Sequence, residues 1–192
     1  MLNKYLRRHK YLLIFLCVIL LIGLIFGIII YYKAIKLNII NNSLDIKNSL
    51  LNNHINNIFK HLITIFIVFI LSLTILGYFY GVFMLFYEGM SISFSICYLC
   101  SKYALKGLIF GIIYNVLFKL PYLCLFLLIL IKIFNILREL IKKLIKKNKL
   151  YNYITIKSNI IAINIITLIV LLFDILLYFF SNFMLKFLTY ML

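Results

Sequence analysis

Three ionisable residues stand inside or at the rim of long apolar runs: Glu88, Lys119 and Asp174. An ionisable group at membrane depth is expensive and marks a functional site by default, as an ion pair, a gate or a substrate contact. Lys119 lies two residues before Pro121, the only proline, within the run 107–131. Its simpler reading is that the helix breaks there and the ammonium snorkels to an interface or a water-filled crevice. Asp174 falls inside the run 159–180, where it either pairs with Lys119 in the interior or lies near the outer interface. Glu88, beside Gly89, reads as the charged tip of a cytoplasmic hairpin.

Other chemistry-bearing residues do not assemble. Cys97-Tyr98-Leu99-Cys100 has C-x-x-C spacing, but no second cysteine pair or nearby histidine completes a zinc set, and apolar packing explains it. His9, His54 and His61 are isolated from one another and from other ligands. The four carboxylates, Asp45, Glu88, Glu139 and Asp174, fall in four separate segments, which argues against paired acid–base catalysis. No phosphate-cradling glycine loop and no Ser/His/Asp set occurs. The expectation is a protein that is not an enzyme and needs no metal or cofactor.

The elements that hold these residues are membrane helices. The chain is 66% hydrophobic with a mean hydropathy of +1.15, against roughly 45–50% apolar residues in soluble domains. A net charge of +16, from 20 basic and 4 acidic residues, would suggest nucleic acid in a soluble protein. Here the basic residues gather between apolar runs, as a positive-inside signal does, so no nucleic-acid partner is expected. Six of the seven glycines form Gly-x-x-x-Gly pairs, Gly23/Gly27, Gly77/Gly81 and Gly107/Gly111. Each pair puts two side-chain-free positions on one helix face, a means of close helix approach in lipid or of docking a partner's helix.

The whole chain, 1–192, reads as one integral membrane domain of class all-α. Spans are expected at about 11–32, 61–86, 89–105, 107–131 and 159–180, the fourth broken at Pro121. The first resembles a signal peptide's charged start, but its apolar run is too long for a secretory segment, and an uncleaved span is expected. Residues 33–60 form a polar, Asn-rich loop. Residues 132–150 alternate apolar and basic positions at helical spacing, predicting an amphipathic helix lying on an anionic leaflet. Residues 1–10 carry four basic residues and 132–157 carry eight. Placing both in the cytoplasm requires five spans, with the N-terminus inside and the 33–60 loop and C-terminal tail outside.

In this order the landmarks resemble the stage II sporulation protein M family of endospore-forming bacteria. The likeness rests on Leu21-Ile22-Gly23-Leu24-Ile25-Phe26-Gly27 after a basic N-terminus and on Ile75-Leu76-Gly77. It continues through Phe86-Tyr87-Glu88-Gly89-Met90-Ser91-Ile92-Ser93-Phe94, Leu120-Pro121 and the closing span with Tyr178 to Leu192. The resemblance implies a non-enzymatic anchor in the mother-cell plasma membrane at the septum. There it would hold two peptidoglycan-degrading partners, a lytic transglycosylase and an amidase/endopeptidase, during engulfment. The alternative from the residues themselves is a small transporter or permease subunit, suggested by the proline-broken helix, Lys119 and Asp174.

Overall fold

A computed structural model of the chain describes residues 10–37, 46–71, 75–146 and 153–191, all of them in or bordering helices. The helices are α1 (Lys10–Lys36), α2 (Ile46–Leu71), α3 (Ile75–Phe118), α4 (Leu120–Lys146) and α5 (Tyr153–Met191), with no strand among the described residues. Long Leu, Ile and Phe runs form helices because in hydrocarbon each backbone N–H and C=O must be satisfied within its own segment. Four stretches are long and apolar enough to cross a membrane: Lys10–Lys36, Leu76–Phe118, Leu120–Ile141 and Ile156–Leu177. In α2 only Phe59–Leu71 is strongly apolar.

Within α3 the chain reverses at one residue. Ala104 has φ 52° and ψ −132°, outside the helical region, and divides the element into a first arm (75–103) and a second arm (105–118). The arms run antiparallel: Lys119 meets Ser91, Asn115 meets Ser95, and Gly111 faces Ile96 and Leu99. A Cβ on Gly107 would overlap the Leu99 carbonyl, so the small residues set how closely the arms approach.

The remaining contacts fix every direction. α1 runs parallel to the first arm, since Gly23 abuts Phe86 and Met90, Gly27 abuts Met90 and Ser93, and Tyr31 bonds to Ser101. α2 and the first arm are antiparallel neighbours that meet at Val68 and Gly81. α4 runs against the first arm, with Leu130 at Gly81 and Phe134 at Tyr78. α5 runs against α2: His61 meets Asp174, while Leu62 to Phe69 face Thr167 and Asn164. Five passes, namely α1, α2, the first arm, the second arm with α4, and α5, therefore alternate in direction. The core between them is built from Leu16, Ile65, Leu85, Phe126, Ile129 to Ile131, Ile133, Ile163 and Val170.

Several expected boundaries move. The run 61–86 is not one helix: Val68 and Gly81 would be about 20 Å apart along a continuous helix, yet a Cβ on Gly81 would lie 3.5 Å from Val68 Cγ1. Hydropathy averages over the whole apolar run and does not register where α2 ends and α3 begins. Gly77/Gly81 thus belongs to the first arm, and 89–105 is the distal part of that arm with the reversal, not a separate short span. The segment 107–131 combines the second arm with the start of α4. Only Lys119 falls between those helices, and backbone bonds Lys119 N–H to Asn115 (2.9 Å) and Leu123 N–H to Lys119 (3.0 Å) continue on either side.

The basic amphipathic segment also differs from expectation. α4 continues through Lys132 to Lys146, with Ile133, Ile136 and Leu137 buried in the bundle core. Its apolar face packs on the bundle through Leu140, while Ile141 is exposed, so the first turns extend the preceding pass; residues 147–150 lie outside the described residues. Much of the 33–60 loop is helical as well, since α1 reaches Lys36 and α2 begins at Ile46. Met1 to His9, residues 38–45 with Asp45, 72–74, 147–152 and Leu192 fall outside the description.

Candidate functional site at mid-length of the bundle

Polar side chains from α2, the first arm, the α3–α4 junction and α5 converge at one level. His61, where α2 turns from polar to apolar sequence, places Nδ1 3.1 Å from Asp174 Oδ2. Both are largely enclosed, with side-chain exposures of 12% and 5%. With a proton on Nδ1 the imidazole donates to the Asp174 carboxyl oxygen, so each polar group gives the other a partner within the apolar bundle. The imidazole stacks on Tyr122, ring centroids 3.6 Å apart and 7° from parallel, and Tyr122 in turn stacks on Phe126 at 5.6 Å.

Lys119 occupies the single residue between α3 and α4. Pro121 has no N–H for the Leu117 carbonyl four residues back, so one helical bond is missing there, while Lys119 N–H to Asn115 and Leu123 N–H to Lys119 remain. The Lys119 ammonium donates to Ser91 Oγ at 2.8 Å, across the hairpin. Glu88 and Lys60 are near enough for their charges to act on Lys119, and Glu88 and Asp174 both act on Tyr122. One turn further along the hairpin, Asn115 Nδ2 donates to Ser95 Oγ (3.2 Å) and to the Gly111 carbonyl (2.7 Å). Asn115 Oδ1 is buried without a hydrogen-bond partner. Ser91 and Ser95 border an open cavity of about 270 Å³, lined also by Tyr87, Met90, Phe94 and Ile30 of α1.

Helix lengths place this level near the middle of the bundle. Glu88 is alongside Gly23, close to the centre of α1. From there Lys10, Arg138 and Lys157 lie about 20–28 Å away toward one end at the helical rise, and Lys33, Lys36, Lys102 and Lys106 about 15–27 Å toward the other. A bilayer with its headgroups is about 40–45 Å thick, so basic residues bracket the cluster as they bracket a hydrocarbon core.

The sequence-derived candidates separate into two groups. Glu88, Lys119 and Asp174 do come together, but Lys119 bonds to Ser91 and Asp174 to His61, so the suggested Lys119–Asp174 pair does not form. His61, isolated from other ligands in the sequence, meets Asp174 only through the fold; its sequence signal is its place where a polar stretch gives way to an apolar one. The glycines form packing seams instead. Gly23 and Gly27 lie against first-arm backbone, and Gly89, outside any pair, lies against α1, where an added Cβ would come 2.7 Å from the Leu20 carbonyl. Gly81 faces Val68 and Leu130, while Gly107 and Gly111 close the hairpin.

Chemically, the arrangement suits cross-linking of helices better than bond making. Ser91 and Lys119 have the spacing of a nucleophile and base, but Ser91 is mid-helix, where neighbouring amides are engaged by carbonyls four residues back and offer no oxyanion donors. Among the described residues no three His, Cys, Asp or Glu side chains gather as a metal site. Cys97 and Cys100 are free thiols one turn apart on the first arm. Comparison with protein-family models, with curated proteins and with solved structures gives no match for this chain.

Proposed function

We propose that this protein is a non-enzymatic scaffold in the bacterial plasma membrane that anchors peptidoglycan-degrading enzymes during septal engulfment. The observation that carries the reading is the bonding pattern at mid-depth. His61–Asp174 and Lys119–Ser91 join different passes and direct their polar groups at one another, which ties the bundle closed instead of lining a path. The resemblance to the stage II sporulation protein M family supplies the biological setting and the partners, a lytic transglycosylase and an amidase/endopeptidase with membrane anchors. Five alternating passes fit five crossings. The end bearing Lys10, Arg138 and Lys157 is richest in basic residues and faces the cytoplasm under the positive-inside rule. Because the Gly23/Gly27, Gly81 and Gly107/Gly111 faces are filled within the chain, partners dock on lipid-facing or extracytoplasmic surfaces.

Deletion of the gene tests the proposal. The expected result is arrest with a flat or bulging septum in membrane-stained sporulating cells, together with loss of hydrolase recruitment. Normal engulfment would sink it. A second reading, a small permease subunit, is favoured by Lys60 and Glu88, which bring charge to mid-depth beyond the two bonded pairs. A defect in uptake of a solute, with engulfment intact, would select it.

A further inference from the structure

We infer that the flank formed by α1 and the first arm binds one anionic phospholipid, its head flanked by Lys33 and Lys102 and an acyl chain seated in the cavity below. The cavity of about 270 Å³ lies where Ile30 of α1 meets Tyr87, Met90, Ser91, Phe94 and Ser95 of the first arm. Its two hydroxyls are already engaged, since Ser91 accepts from Lys119 and Ser95 accepts from Asn115. The remaining wall is aliphatic, aromatic and thioether surface, which is what a hydrocarbon chain packs against. Ile30 and Tyr87 are 39% and 48% exposed, so the cavity opens to the lipid side of the bundle.

The lysines stand on the same sides of their helices as this opening. On the first arm Tyr87, Ser91, Phe94, Ser95 and Lys102 fall within about 100° of the circumference, and on α1 Lys33 is one turn beyond Ile30. Both lysines are exposed. The contacts of Gly23 with Phe86 and Met90, and of Gly27 with Met90 and Ser93, set each α1 residue level with one about 65 positions later. Lys33 is therefore within about 6 Å of Lys102 along the bundle axis. From Lys102 down to Ser91 is about 16 Å at the helical rise, the hydrocarbon depth of a single leaflet. Lys36 of α1 and Lys106, next to Gly107 where the second arm abuts Leu99 and Tyr103, share the level of Lys102. Glu88 and Asp174 lie at mid-length and Glu139 on α4, so at most one carboxylate, Asp45, is left to offset four lysines. A positive rim above an apolar slot one leaflet deep matches a phosphate head with its chain, and ammonium–phosphate bonds are of the strong, charge-assisted kind. This site is independent of the scaffold reading, since a scaffold and a permease subunit can both hold a lipid.

The chain contains no tryptophan, so Tyr87→Trp places a single fluorescent reporter at the cavity mouth, and Ile30→Trp repeats the measurement from the opposite wall. The full chain is reconstituted in vesicles of phosphatidylcholine and phosphatidylglycerol, one or the other carrying brominated chains that quench on contact. At both reporters phosphatidylglycerol is expected to associate about fivefold more strongly than phosphatidylcholine. At Ile165→Trp, on the exposed face of α5, the ratio should be near one. Lys33→Gln with Lys102→Gln should bring the ratio at the cavity to near one, and Arg at both positions should restore it. Lys36→Gln with Lys106→Gln removes equal charge at the same level. Those two lysines are each nine residues, about half a circumference, from Gly27 and Asn115 on the cavity-side contacts, so most of the preference should survive. A ratio near one at both cavity reporters overturns the inference. Equal losses in the two Gln pairs also overturn it, as does displacement of the brominated lipid by soluble glycerol phosphate, which has a head but no chain.

Discussion

The two sides of the bundle are held together by opposite means. The α1–first-arm seam contains no side-chain ion pair among the described residues: Gly23, Gly27 and Gly89 bring backbone against backbone, flanked by the Phe26–Phe86 edge contact at 5.6 Å. On the other side, His61 of α2 bonds to Asp174 of α5 and stacks on Tyr122 of α4, while Lys119 at the α3–α4 junction bonds across to Ser91 of the first arm. The first seam is specified mainly by the absence of atoms, with the Tyr31–Ser101 bond at one end, and the second by a few polar ones. In lipid, where apolar surfaces gain little from meeting each other, these are the two available sources of helix association. They fail differently: a backbone seam tolerates no added volume, whereas a polar seam tolerates volume but not an unmatched partner.

That contrast is most sharply broken at Gly27. Gly27→Leu drives a side chain into the Met90 carbonyl and Ser93, and should destabilise the bundle by about 3 kcal/mol, seen as loss of the protein from membranes or a lowered Tm in detergent. Normal protein levels with lost hydrolase recruitment would instead assign this face to a partner. Asp174→Leu leaves the His61 ring without its acceptor and should cost about 2 kcal/mol. The double change Asp174→Leu with His61→Phe is expected to recover part of that loss, because no polar group is then stranded. A double variant no better than the single one would show that packing, not polarity, holds this side.

Two smaller effects refine the comparison. Ala104 holds a positive φ of 52° that a side chain resists, so Ala104→Gly should raise stability by about 1 kcal/mol in a thermal melt. Lys119→Met removes the bond to Ser91 and a positive charge near Glu88, and should shift stability by less than about 1 kcal/mol. A larger loss would make Lys119 a principal tie of the bundle.

Hydropathy made the helical class and the apolar stretches legible, because a long run of Leu, Ile and Phe has few other stable solutions in lipid. It merged 61–86 into one span, since the end of α2 and the start of α3 are equally apolar. The reversal at Ala104 was hidden because alanine is ordinarily a helix former; only tertiary packing of Gly107 against Leu99 shows why the chain turns there. Glu88, Lys119 and Asp174 were legible from the improbability of charge in apolar sequence. Their pairing was not, because partners such as Ser91 and His61 are set by register between passes, which the spacing within a single helix does not contain.

The reversal at Ala104 bears on how the chain enters the membrane. Between the apolar stretches on either side, the exposed hydrophilic matter is little more than Ser101, Lys102 and Lys106. No folded or extended polar loop must be carried through the bilayer to separate the two arms. Under the proposed orientation, Leu76 to Ile141 inserts as one looped unit, with Lys102 and Lys106 the charges at its tip.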